Sequence, residues 1–177
     1  MKRVRWLSGL FLAGMLCVML GTVGAQVAQA QRPIPWTDLK CQVKGWQRSM
    51  FEDIVVSREI YTSMLRIFPG TSLTCKLPGG RAFLELQFAI PDKERKAPIK
   101  VDVYVDGNHL KSLTGEKGKV HTMLVDVSNG KSLSIDVDCA AATDCLSVSS
   151  GPFSSILDGY NFIKFQVVPG ASSPGRR

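Results

Sequence analysis

The strongest constraint on the fold is a regular alternation of apolar and polar residues between Ile99 and Asp138. Strict alternation is typical of strands with one buried face, because successive side chains of a strand point to opposite sides. The alternation is interrupted at Asp106–Gly107 and at Asn129–Gly130. Such dipeptides between alternating runs are the strongest local signal for a β-hairpin. This stretch therefore predicts antiparallel β structure with a hairpin at each dipeptide.

Similar runs, bounded by glycine and proline, occur along the rest of the chain. The predicted strands are Leu39–Val43, Ile54–Val56, Glu59–Tyr61, Met64–Phe68, Ser72–Leu77, Ala82–Ile90, Val101–Val105, Leu110–Leu113, Val120–Val127, Leu133–Val137 and Tyr160–Val168. On the last strand we expect Ile163, Phe165 and Val167 to be buried. No segment has a helical period over ten residues. The pattern predicts an all-β, antiparallel β-sandwich, most simply a jelly roll, with an immunoglobulin-like sandwich as the alternative.

The first thirty residues have the pattern of a secretory signal peptide. Lys2, Arg3 and Arg5 form a basic start, Trp6–Val23 carries no charge, and small residues follow at Ala28–Ala30. The alternative is an uncleaved membrane anchor, because the uncharged run approaches the roughly 20 residues of a spanning helix. Cleavage after Ala30 is favoured, since glycines interrupt the run. This predicts a periplasmic or secreted protein that has no membrane association after cleavage.

The rest of the chain reads as one domain between two extensions. Gln31–Asp38 contains two prolines and is predicted to be an extended lead-in, Leu39–Val168 the β-sandwich, and Pro169–Arg177 a flexible tail. Removal of the signal lowers the net charge from +7 to +4, because three basic residues leave with it. The remaining charges are scattered rather than clustered with aromatic residues, which argues against a nucleic-acid partner.

Four cysteines remain after signal cleavage, and their number supports export. Cys41, Cys75, Cys139 and Cys145 allow three disulfide connectivities. We favour Cys139–Cys145 as a short loop and Cys41–Cys75 as a link from the N-terminal segment to the sheet. The alternative, a zinc site with four thiolate ligands, lacks the closely spaced cysteine pairs of such sites.

The sequence offers no convincing catalytic arrangement. His109 follows a predicted turn and His121 lies on a strand, but no serine has the G-x-S-x-G setting of a nucleophile elbow. Carboxylates such as Asp136 and Asp138 alternate along a strand and are typical of its solvent face. We therefore expect a protein that is not an enzyme, with a small hydrolase as the remaining alternative.

No cofactor is expected, although a structural calcium ion is an alternative. Oxygen ligands for calcium are available from Asp136, Asp138 and Asp144, or from Asp92 together with Asp158. These positions do not form the ligand ladder of an EF-hand. The sequence therefore predicts no specific metal ligand.

Aromatic side chains are the candidates for a binding surface, because a ring buries the apolar face of a sugar without strict polar geometry. Tyr104 is predicted on the polar face of its strand, with Asn108 and His109 beside it at the turn. These three are the predicted ligand-binding residues. We expect Trp36 and Trp46 to pack under the first strand instead.

Several of these strands resemble the NPCBM family of carbohydrate-binding modules, found at the N-terminus of glycosidases and alpha-galactosidases. The resemblance runs from Ser72 to Pro169 and lies in R-A-F-L-E-L-Q-F-A-I-P-D, V-D-V-Y-V-D-G-N-H-L, V-D-V-S-N-G-K-S-L-S-I-D-V and L-D-G-Y-N-F-I-K-F-Q-V-V. The family has an aspartate–tryptophan pair where this chain has Asn161–Phe162. The resemblance implies a jelly roll that binds carbohydrate.

The sequence thus predicts an exported, non-catalytic binding module. The expected partner is an envelope or extracellular carbohydrate. The alternative is a structural or adaptor protein that docks onto another exported protein.

Overall fold

The computed structural model describes residues 32–141 and 159–170, all of them within one compact unit, Gln31–Arg177. Eleven β-strands occur in these two ranges, together with one 3-10 turn at Trp36–Asp38. The strands are β1 Ile34–Pro35, β2 Cys41–Lys44, β3 Gln47–Val56, β4 Glu59–Ile67, β5 Thr71–Lys76, β6 Ala82–Ala89, β7 Ile99–Val105, β8 Asn108–Gly115, β9 Val120–Asp126, β10 Ser132–Cys139 and β11 Tyr160–Pro169.

The described strands form two antiparallel sheets, which confirms the predicted β-sandwich. Sheet A has the order β3-β4-β11-β6-β9, and β1 also pairs with β11. Sheet B has the order β2-β5-β10-β7-β8. Within the described ranges no helix is long and apolar enough to cross a membrane. The predicted signal peptide and residues 171–177 of the predicted tail lie outside these ranges.

The core lies between the sheets and is built by the predicted alternation. On β6, Leu84, Leu86 and Phe88 are fully buried, while Glu85 and Gln87 face the other way. The apolar faces of β7, β9 and β10 are buried in the same way. Burial of each such side chain contributes about 1.5–3 kcal/mol to stability.

The connection at Asn129–Gly130 is not a hairpin, and this prediction was wrong. The strand before it, β9, pairs with β6 in sheet A, whereas the strand after it, β10, pairs with β5 and β7 in sheet B. Asn129 has a positive φ of 60°, so the dipeptide does turn the chain. A turn residue reverses the chain locally. Which strand pairs with the next one depends on the sheet in which that strand packs, here sheet B.

The buried face of β11 also differs from the prediction. Phe165 and Val167 are buried as expected, but Phe162 belongs to the core in place of Ile163. The cause is a register shift between Phe162 and Lys164, where β11 pairs with β6. Such a bulge adds one residue to one strand and reverses the faces beyond it.

The β3–β4 hairpin is longer than predicted and curls over the outer side of sheet A. Its turn residues Ser57 and Arg58 have positive φ values of 53° and 69°. Their backbone N–H groups donate to the Asp92 carboxylate at 3.0 and 3.3 Å. Beyond the turn, Ile54 and Val56 pack in a small second cluster with Ala89 of β6. Turn positions with a positive φ are usually occupied by glycine or asparagine. Here Ser57 and Arg58 occupy them, and the Asp92 carboxylate, distant in sequence, stabilises the turn.

The disulfide between Cys41 and Cys75 is present, with the two residues directly opposite on β2 and β5. It links the edge strand β2 to sheet B, as the sequence predicts. The second predicted pair includes Cys145, which lies outside the described residues, so Cys139–Cys145 stays a prediction.

Candidate functional site

The three predicted ligand-binding residues lie together on the β7–β8 hairpin. Asp106 and Gly107 form its turn with φ values of 50° and 81°, as a two-residue type I′ turn requires. The turn places Tyr104 opposite His109, and their rings meet edge to face with centroids 5.2 Å apart. Tyr104 is half-buried, whereas Asn108 and His109 are exposed. The hairpin therefore presents an aromatic ring beside an imidazole on the outer face, whereas Asn108 pairs with Val105 and, one residue along the strand, points to the other side at the tip of the hairpin.

Asp106 fastens this turn to the neighbouring strand β10. Its Oδ1 accepts hydrogen bonds from the backbone N–H groups of Ser132 at 2.8 Å and Lys131 at 3.0 Å. In return, the Asp106 N–H donates to the Ser132 carbonyl at 3.0 Å. The hydrogen bonds from the Ser132 and Lys131 backbones hold the pKa of Asp106 below its usual range. Backbone groups of Lys131 and Ser132 therefore hold the turn in place.

A polar cluster lies next to Tyr104 on the same face of sheet B. The Ser112 hydroxyl donates to Oδ1 of Asp102, and Lys100 Nζ lies 2.9 Å from Oδ2. His109 Nε2 lies 3.0 Å from Ser112 Oγ and 3.4 Å from Asp102 Oδ1. Burial raises the pKa of Asp102, but the hydrogen bonds from Ser112 and Lys100 outweigh burial, and the pKa lies below its usual range. Asp102 is therefore an ionised centre that fixes the side chains around it.

This cluster contains a serine, a histidine and an aspartate, but it lacks the geometry of a catalytic triad. In a triad the carboxylate binds one imidazole nitrogen and the serine the other. Here the same nitrogen, Nε2 of His109, contacts both Ser112 and Asp102. Ser112 also gives its proton to Asp102 rather than to the histidine. The arrangement orients His109, and it provides no base for the serine.

Beyond Tyr104, the outer face of sheet B continues as a row of hydroxyl groups. The register places Tyr104 next to Ser134, and Ser134 next to Thr74. The hydroxyls of Thr74 and Ser134 lie 2.9 Å apart, and the Ser72 hydroxyl donates to Asp136 at 2.5 Å. Fixed hydroxyls and carboxylates of this kind can exchange hydrogen bonds with a polyhydroxylated ligand.

The described aspartates of the two calcium sets are already bonded to protein donors. Asp136 accepts from Ser72, Asp138 accepts from the Cys139 N–H at 2.8 Å, and Asp92 supports the β3–β4 turn. Among residues 32–141 and 159–170, no group of three His, Cys, Asp or Glu side chains is arranged to hold a metal ion. Asp144 and Asp158 lie outside the described residues, so the calcium alternative is untested.

Of the two tryptophans that were expected to pack under the first strand, Trp36 is packed and Trp46 is exposed. Trp36 is half-buried against the core, whereas the Trp46 side chain is 80% exposed. The Trp46 backbone is nevertheless clamped, because its N–H and carbonyl both bond to the Thr71 hydroxyl at 3.0 and 2.9 Å. Gly45, with φ of 110°, lets the backbone approach Thr71 this closely. The prediction for Trp46 was wrong, and its polar neighbours in K-G-W-Q-R were the signal for exposure.

Phe51 on β3 is a second exposed aromatic residue that the sequence reasoning missed. Its side chain is 83% exposed, at the point where the pairing of β3 with β4 shifts register. Ile60 on β4 is exposed as well. Trp46, Phe51 and Ile60 are the three most exposed large apolar side chains of the described residues, and Phe51 and Ile60 lie on sheet A, the sheet opposite Tyr104.

Asn161 and Phe162, which stand where the predicted NPCBM resemblance would place an aspartate–tryptophan pair, are both fully buried. Asn161 Oδ1 accepts hydrogen bonds from Arg66 at 3.2 and 3.3 Å. The Phe162 ring lies 5.6 Å from that of Phe88 in the core. In this chain both positions serve the interior rather than a surface.

No family model matches the sequence, and no curated protein matches it. Solved structures of carbohydrate-binding modules do match the fold. One contains the M60 catalytic domain with the CBM51-1 and CBM51-2 domains of ZmpB from Clostridium perfringens, with a TM-score of 0.61 and 18% identity. That match covers 80% of this chain but 16% of the other.

Two further matches are modules solved with sugars. CBM51-2 with the INT domains of the same ZmpB, in complex with GlcNAc, has a TM-score of 0.58 at 14% identity and covers 78% of this chain and 32% of the other. CBM51 of GH95 from Clostridium perfringens, in complex with methyl-galactose, has a TM-score of 0.57 at 13% identity. This match covers 77% of this chain and 99% of the other. At these identities the likeness shows the fold alone, a jelly-roll sandwich that this chain shares with these modules. Membership of the NPCBM family itself stays a prediction.

Proposed function

We propose that this protein is an exported, non-catalytic module that binds carbohydrate on the outer face of sheet B. The observation that carries the proposal is the Tyr104 ring, which contacts His109 edge to face beside a turn that Asp106 holds to β10 by hydrogen bonds. The fold supports the proposal, since structures of the same shape include complexes with GlcNAc and methyl-galactose. These two sugars are the first ligands to test.

The chemistry of the hairpin suits a sugar ring. The Tyr104 ring offers an apolar surface for C–H groups, and burial of that surface requires little exact geometry. The Asn108 amide both donates and accepts hydrogen bonds, so it matches the donor and acceptor character of adjacent sugar hydroxyls. Because the site is fixed by hydrogen bonds before a ligand arrives, little ordering cost is added on binding.

Export is part of the proposal and is supported by the disulfide. Cys41 and Cys75 are joined, and such bonds persist in oxidising compartments outside the cytoplasm. The signal-like start of the chain agrees with this location. Fractionation of cells that express the complete chain tests it, since a protein found only in the cytoplasm with reduced Cys41 would contradict export.

Binding to a glycan array that includes GlcNAc and galactose ligands tests the function. We expect binding by the unmodified protein and at least about tenfold weaker binding by Tyr104→Ala, because one aromatic contact contributes about 1.5 kcal/mol. Tyr61→Ala, which removes a partly exposed tyrosine from the other sheet, should bind like the unmodified protein. No binding to any glycan, or equal losses in both variants, would contradict the proposal.

A further inference from the structure

The edge strand β3 differs from the edge strands β2, β8 and β9 of the described chain. Edge strands expose unpaired backbone groups, and soluble proteins commonly protect them with lysines. β2 carries Lys44 and β8 carries Lys111, whose Nζ also donates to the Leu124 carbonyl of β9 at 3.2 Å. β3 contains no lysine, and it exposes Phe51 instead. β9 also contains no lysine but is covered by Lys111 of β8, so of these four edge strands β3 has no lysine of its own or from a neighbour.

The open part of this edge runs from Gln47 to Asp53. At its far end the Val55 carbonyl already accepts a hydrogen bond from the Asp92 N–H at 3.1 Å. In the middle, Met50 and Phe51 fall within the register shift and have no partner positions on β4. An exposed phenylalanine at the centre of an open strand edge leaves apolar surface in water, which is unfavourable unless another surface covers it.

The charges along β3 are arranged so that a second copy of the strand in antiparallel orientation would be complementary to it. Arg48 lies at one end of the uncharged segment Ser49–Phe51, and Glu52 and Asp53 lie at the other. The Arg48 side chain makes no hydrogen bond or ion pair with any other described residue, whereas the Glu52 carboxylate lies 3.4 Å from the Arg66 guanidinium. If two copies of β3 run antiparallel, each Arg48 faces the acidic end of the other strand.

We propose that β3 is the contact of a two-fold symmetric dimer of this chain. In a two-fold interface the same surface serves both subunits, so Arg48 of each copy pairs with the partner's Asp53, since Glu52 already pairs with Arg66 of its own chain. Phe51 then lies near the axis, opposite the uncharged centre of the partner strand. Backbone hydrogen bonds between the two strands supply affinity, as in other cases of strand addition. The dimer leaves the outer face of sheet B, with Tyr104, uncovered.

Sedimentation of protein produced from the complete sequence, in the form that the cells deliver, tests the dimer. We expect a dimer at roughly 100 µM that dissociates on dilution, and at least about tenfold weaker association for Phe51→Glu. Leu124→Glu is the matched control, because it places the same charge at an exposed apolar position on the opposite edge of sheet A. A protein that stays monomeric at the highest concentration contradicts the proposal, even if a different protein is found to bind this edge.

A charge exchange tests the antiparallel arrangement. Arg48→Glu and Asp53→Arg should each weaken the dimer by about tenfold, because like charges then face each other. The double variant restores opposite charges and should recover most of the affinity. Circular dichroism of each variant shows whether it has folded. A dimer that tolerates Phe51→Glu, or single variants that the double variant does not rescue, would overturn the β3 contact.

Discussion

Loss of the Cys41–Cys75 disulfide should cost this domain about 4 kcal/mol of stability. The bond closes a loop with a sequence separation of 34 residues that contains the whole β3–β4 hairpin. For a loop of that length, the lost chain entropy of the unfolded state corresponds to about 4 kcal/mol at 25 °C. At roughly 2–4 °C per kcal/mol, the melting temperature should fall by about 8–16 °C.

Cys41→Ala is the appropriate perturbation. Cys41 is only half-buried, so its truncation removes the crosslink while Cys75 still fills the core. Urea unfolding followed by tryptophan fluorescence measures the change, and the exposed neighbour Gln42→Ala should change stability by less than about 0.5 kcal/mol. A loss below about 1 kcal/mol for Cys41→Ala would refute the loop-entropy argument. Peptide mapping that joins Cys41 to a cysteine other than Cys75 would contradict the register of β2.

Three further predictions concern the core, one inter-sheet turn and the acid range. Phe88→Ala should lower the free energy of unfolding by about 3–5 kcal/mol in urea, because the ring is fully buried, whereas the exposed Ile60→Ala should have little effect. Gly130→Ala should lower stability by about 1–3 kcal/mol by thermal melting, because a Cβ there would lie 2.5 Å from Val105 Cγ1. Asp106 has a lowered pKa, so it stabilises the fold above the usual value of about 3.9 and this contribution disappears as the pH falls through the lowered pKa. When the free energy of unfolding is measured across pH, Asp106→Asn should therefore show a smaller loss of stability at acid pH than the unmodified protein.

Most strand positions followed from the sequence because those strands have one buried face, whereas β8 is exposed along most of its length and was predicted too short. The alternation on β6 and β7 is nearly free of exceptions, so the faces of these strands were predicted correctly. The Asp106–Gly107 turn also fixed the pairing of Tyr104 with His109. Alternation carries no information about which sheet a strand joins, which is why the connection at Asn129–Gly130 was wrongly predicted as a hairpin.

Bulges, which a local pattern does not reveal, explain two further differences from the sequence prediction. A two-residue turn alone would place Asp102 opposite Lys111, but a register shift after Val103 places it opposite Ser112. The polar cluster around His109 depends on that single extra residue. A bulge likewise moved Phe162 into the core in place of Ile163. The β11 bulge pairs with a strand distant in sequence, and the β7–β8 bulge lies in a hairpin whose turn residues do not signal an extra residue, so the alternation predicted neither.

A titration of isotope-labelled protein with GlcNAc and with methyl-galactose, followed by amide NMR shifts, tests the account's central claim. Carbohydrate recognition on sheet B predicts saturable shifts for Tyr104, Asn108 and His109, with smaller shifts along the Ser134 row. These shifts should be lost in Tyr104→Ala. Saturable shifts confined to the surroundings of Trp46, with the β7–β8 hairpin unchanged, would contradict the proposed site.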